Sequence, residues 1–137
     1  MSVPFDPRAP VVLVEADVVG PVRTVRVTLA LDTGASGTSI RPRYLVAAGY
    51  NPAASTRRRN LRSATGGGVA PVVNVSAVVC LGRVRTNLPL LAHDPPPAVT
   101  YDGLLGLDFF PGLVLTLDFA RGRVSLDPPR RLWQFWR

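Results

Sequence analysis

Asp32-Thr33-Gly34-Ala35-Ser36 directly follows the apolar stretch Val25 to Leu31 and puts one carboxylate at the tip of a tight turn. A carboxylate held there can take a proton from water, and hydrolysis run by carboxyls alone pairs it with a second, protonated carboxyl that serves as the acid. That chemistry needs two carboxyls that share a proton. Asp-Thr-Gly occurs once in the chain, so the motif bears on oligomeric state as well as on function. Composition alone would produce the tripeptide only about 0.05 times in a chain of this length, which makes it suggestive, and its setting adds the weight.

The elements that must position this turn are mostly strands. Valine, isoleucine and threonine dominate most segments and glycine and proline mark breaks at short intervals, the pattern of an all-β domain of short strands. Val11 to Val19 and Val22 to Leu31 read as strands joined at Gly20-Pro21, delivering the chain into Asp32. Ser39-Ile40 returns as a short strand. Arg41 to Ala48 reads as a helix, with Pro42 in its first turn and Gly49 as a left-handed cap. Asn51 to Asn60 reads as irregular. Leu61 to Thr65 and Val69 to Val79 read as two strands around a tip at Gly66-Gly67-Gly68. Val84 to Ala92 is a further strand before the proline-rich loop His93 to Thr100, and Leu113 to Leu126 closes the domain as a hairpin. Between them, Gly103-Leu104-Leu105-Gly106 reads as a buried strand that turns sharply, followed by a short helical turn that Asp108 caps. Asp102 is assigned to turn chemistry.

A length of 137 residues suits one domain and leaves no room for a second catalytic lobe. Hydrophobic residues make up 47% and charged residues 18%, which excludes a disordered chain. No apolar run approaches the ~20 residues that span a bilayer, so a soluble protein without membrane association is expected. Met1 to Pro10 has no apolar core of the signal-peptide kind. Cys80 is the single cysteine, in an apolar setting that reads as a buried, inert thiol, and a cytoplasmic location is expected. All sixteen basic residues are arginines and the formal charge is +7. Arg57-Arg58-Arg59 is the only dense run, and without interleaved aromatics it reads as a solvated face; nucleic acid is not expected as a partner. His93 and Cys80 have no clustered ligands near them in sequence, so neither a metal nor a cofactor is expected.

Leu31 to Ile40 taken together with Leu104-Leu105-Gly106 resembles the retropepsin-type aspartic proteases, single-lobe relatives of pepsin, and the resemblance covers roughly residues 11–127. It implies a closed or partly open acid-protease β-barrel with a flap hairpin. Residues 1–10 are then an N-terminal extension and 128–137 a tail. The resemblance assigns Asp32 as the catalytic residue, meeting its copy across the two-fold axis of a homodimer. Thr33 is implied to bond across to the partner's loop, and Gly34 to permit the close turn. Ala35 stands where pepsin-like lobes carry a serine that donates to the carboxylate. Its absence implies a higher-titrating pair and activity extending toward neutral pH. Ser36 and Leu107 replace the aspartate and arginine that pair in retroviral enzymes, which leaves the grip on the substrate main chain open. Ser36, Gly37, Ala64, Thr65, Gly66, Gly67 and Gly68 are implied to contact substrate.

The expected activity is therefore cleavage of a protein or peptide in extended, apolar segments. The alternative is a catalytically silent module that dimerises or binds peptides. Plainer roles stand beside these: Asp32 as an ordinary turn aspartate bonded to nearby amides, Gly66 to Gly68 as a flexible surface turn. The tail Leu132-Trp133-Gln134-Phe135-Trp136 reads as an interface strand, as a segment packed on its own domain, or as a docking segment.

Overall fold

The structure, a computed structural model, describes residues 1–63 and 66–131. Ala64, Thr65 and the expected interface segment Leu132 to Trp136 lie outside the described residues.

Ten strands and one α-helix make up the described chain: β1 (Ser2–Pro4), β2 (Leu13–Val19), β3 (Thr24–Leu31), β4 (Ser39–Ile40), α1 (Pro42–Ala48), β5 (Arg58–Ser63), β6 (Gly66–Cys80), β7 (Arg83–Ala92), β8 (Gly103–Leu105), β9 (Val114–Asp118) and β10 (Arg123–Asp127). Period-two patterning explains β2, where Val14, Ala16 and Val18 face inward between more exposed neighbours. Val27 and Leu29 do the same on β3, and burying each such side chain contributes roughly 1.5–3 kcal/mol. Strands β2, β3, β8, β4, β7 and β6 are hydrogen-bonded in that order, and β2 pairs back onto β6. The result is a closed six-stranded barrel filled by Val18, Leu29, Ile40, Leu90, Leu105 and Phe109. Closure leaves no free edge on these strands.

Helix α1 starts on Pro42 and ends at Gly49, whose φ of 108° a side chain would strain. Leu45 and Ala48 are its buried face, as the sequence leads one to expect. Three expectations need revision. Ser2–Pro4 pairs with β10, and β10 with β9, so the N-terminal segment is a sheet strand of the domain. The stretch expected to be irregular already enters β5 at Arg58. Gly66, Gly67 and Gly68 are the opening residues of β6, paired with Ser63, Arg62 and Leu61, so they sit on the returning strand and not between the strands. Without side chains they read as loop, yet backbone pairing alone extends the strand through them.

Cys80 is buried on β6, its thiol donating to the Glu15 carbonyl at 3.3 Å. Burial, reinforced by the charges of Glu15 and Asp17, pushes this thiol up to about 12. Because only the thiolate attacks, we predict that Ellman's reagent at pH 8 reacts with the folded protein at least about a hundredfold more slowly than with the urea-unfolded chain. Comparable rates would show that the thiol is accessible.

Candidate active site

Strand β8 lies between β3 and β4, the two strands that the Asp32 turn connects. It runs parallel to β3, pairing Leu31 with Leu105, and antiparallel to β4, pairing Ser39 with Leu104. The turn must therefore pass over the end of an inserted strand. Two glycines allow it. A Cβ on Gly103 would lie 1.9 Å from the Ser39 carbonyl oxygen, and one on Gly106 would lie 2.5 Å from the Gly37 oxygen and 2.9 Å from that of Ala35. No side chain fits either position.

The turn is tied to β8 and the residues after it by backbone bonds. Asp32 N–H donates to Leu105 O at 3.0 Å, and Leu107 N–H to Ala35 O at 2.8 Å. Within the turn, Ala35 N–H donates to Asp32 O at 3.1 Å and Gly34 N–H to Asp32 Oδ1 at 2.9 Å. A Cβ on Gly34 would stand 3.1 Å from that same oxygen, so glycine serves the close approach of the carboxylate to its own loop. Asp32 is part-exposed, while Thr33, Gly34 and Ser36 are exposed. Among the described residues no hydroxyl donates to the Asp32 carboxylate and nothing bonds the Thr33 hydroxyl.

The fixing of the loop from below was not legible in the sequence. Thr38 is fully buried; its hydroxyl donates to Asp108 Oδ1 at 2.6 Å and accepts from Gly106 N–H at 3.1 Å, while its own N–H donates to Asp108 Oδ2 at 3.0 Å. The sequence expectation makes Asp108 a cap for a short helical turn over Leu107 to Phe110, observed here as Leu107–Phe109. That turn has no side-chain cap, because the Asp108 carboxylate is taken by Thr38, 70 residues earlier. Asp102, read as turn chemistry, makes a long-range structural bond instead: its carboxylate accepts from Thr28 N–H at 2.8 Å and holds β3 beside β8.

A cleft of about 990 Å³ opens beside the turn. Gly34, Ala35, Ser36 and Gly37 form one side, Arg59 and Leu61 of β5 another, and His93 to Pro97 with Tyr101 a third. Arg41, read only as the start of a helix, braces the proline loop: its Nη2 donates to Tyr101 O at 3.2 Å and Val99 O at 3.4 Å, and its Nη1 lies 3.5 Å from Asp94 Oδ1. Among the described residues no group of three or more His, Cys, Asp or Glu is placed to hold a metal ion.

The sequence model of a family described as aspartyl protease matches residues 14–109, well over half of the chain, from the second residue of β2 to past the end of β8. The chain belongs to the aspartyl protease family. Its fold is retropepsin-like: it is similar to the crystal structure of a retropepsin-like aspartic protease from Rickettsia conorii, with a TM-score of 0.69 over 93% of this chain and 89% of that one, at 18% sequence identity. None of the curated proteins matches the sequence.

Thr38 offers a direct check on how the loop is held. Thr38→Val removes a bond to a carboxylate and strands the Gly106 N–H, so it should cost about 2–3 kcal/mol in urea unfolding, whereas Thr38→Ser keeps the hydroxyl and should cost about 1 kcal/mol. Equal losses for the two variants would assign Thr38 to packing alone.

Proposed function

We propose that the chain is an aspartic endopeptidase that works as a homodimer, two copies of Asp32 forming one catalytic pair. The observation that carries this reading is a solvent-reaching carboxylate on a rigidly fixed turn, present once per chain. Two such carboxyls brought together cannot both ionise, so one keeps its proton. The ionised Asp32 then takes a proton from a bound water as the water attacks the peptide carbonyl, and the protonated partner stabilises the developing oxyanion. A proton passed on to the leaving amine completes cleavage. The free Thr33 hydroxyl suits a bond to the partner's loop, which would lock the two turns together.

Substrate in this reading is an extended peptide lying in the cleft, its apolar side chains against Leu61, Leu91 and Leu104. The β5–β6 hairpin acts as the flap, its glycine-rich strand lending mobility above the peptide. A reducing, cytoplasmic setting suits the single buried thiol.

Replacing Asp32 by Asn should lower cleavage of a fluorogenic peptide with apolar residues about the scissile bond by about a thousandfold or more, while sedimentation still finds the dimer. Unchanged cleavage, or a strictly monomeric active enzyme, would refute the mechanism. Ala35 supplies a second check. Ala35→Ser adds a donor that favours the anion, so the acidic limb of the pH–rate profile should move to lower pH; activity confined to strongly acidic pH in the unaltered protein would count against the role given to Ala35.

A further inference from the structure

The arginine run at residues 57–59 divides on β5. Arg57 and Arg58 are exposed, while Arg59 is partly buried and lines the cleft, in register opposite Ala70. Its guanidinium reaches the loop that follows Asp32: Nη1 stands 2.6 Å from where a Cβ on Gly37 would be. The absent side chain at Gly37 is the space the guanidinium uses. Three facts set its charge apart. Among the described residues Arg59 forms no ion pair or hydrogen bond. Asp108 lies close by, its Oδ2 3.8 Å from the same Gly37 position, but that carboxylate serves Thr38. Asp94, the other carboxylate at the cleft, faces Arg41.

A partly buried cation with its donors unspent inside a peptide-sized cleft lacks a counter-charge. A guanidinium offers planar, paired N–H groups that match a carboxylate in two parallel bonds, and partial burial strengthens the match over its value in water. We propose that Arg59 forms a cationic subsite that selects an aspartate or glutamate side chain at one position of the bound peptide, beside the apolar contacts. Arg59 is thereby a specificity-determining residue, and the bound sequence is apolar with one acidic residue in fixed register.

This inference rests on the reading of the cleft as a peptide site, and its test is made independent of cleavage. Immobilised Asp32→Asn protein selects from a random octapeptide library at physiological ionic strength, in parallel with the same protein carrying Arg59→Met and with one carrying Arg58→Met. The expected result is tenfold or greater enrichment of Asp and Glu over Asn and Gln at a single position, lost with Arg59→Met and retained with Arg58→Met. Arg59→Glu should turn the preference toward Lys and Arg. Acidic enrichment spread over all positions, or equally affected by both variants, would assign the effect to net charge and overturn the subsite. A uniform loss of binding to acidic and neutral peptides alike would assign Arg59 to the peptide main chain, and loss of the dimer in Arg59→Met would place it at the subunit contact; either overturns the proposal, as does recovery of no peptide. Failure of the unaltered protein to cleave, with the selection as expected, would instead remove the protease reading and leave the subsite standing.

Discussion

Insertion of β8 between β3 and β4 is the constraint on which the rest of the structure depends. It places Leu104-Leu105-Gly106 under a loop that arrives from the opposite end of the sequence, and it tolerates no Cβ at Gly103 or Gly106. Once made, it closes the barrel and consumes the backbone donors and acceptors that would otherwise leave the Asp32 turn free to move. A carboxylate on a surface turn is ordinarily mobile and solvated. This one is fixed through its backbone, which is what preorganised chemistry needs.

Polar groups are divided accordingly. Those below the loop are spent on structure: Asp108 and Thr38 satisfy each other and the Gly106 N–H, and Asp102 binds β3. Those above it, the Asp32 carboxylate, the Thr33 hydroxyl and the Arg59 guanidinium, keep bonding capacity in hand. A partly buried network with these groups satisfied favours one loop geometry, because any alternative leaves a partly desolvated carboxylate without its donors. Unspent groups on the open side are the ones available to a second copy or to a peptide.

Much of this architecture can be read from the chain because the period-two patterning of β2 and β3, the proline and glycine that bracket α1, and the Asp32 and Leu104–Gly106 motifs are all local signals. What escaped is non-local. Asp108 reads as a cap from its neighbours alone, and only the fold reveals that Thr38 claims it across 70 residues. Arg41 reads as a helix start, yet its side chain braces a loop that begins more than fifty residues on. Arg59 reads as part of a solvated run, yet the fold leaves it partly buried against the cleft while Arg58 stays exposed. Gly66 to Gly68 mislead in the opposite sense: residue type suggests a tip, while backbone pairing, blind to side chains, carries the strand through them.

The central claim is that the catalytic site is made by two copies of one chain. The crystal structure of the dimer tests it most directly, through the distance between the Asp32 carboxylates across the two-fold axis. The account predicts a symmetric pair about 3 Å apart with a water between them and the protein. A dimer whose Asp32 carboxylates face away from each other, in a protein that nevertheless cleaves peptides, would contradict it.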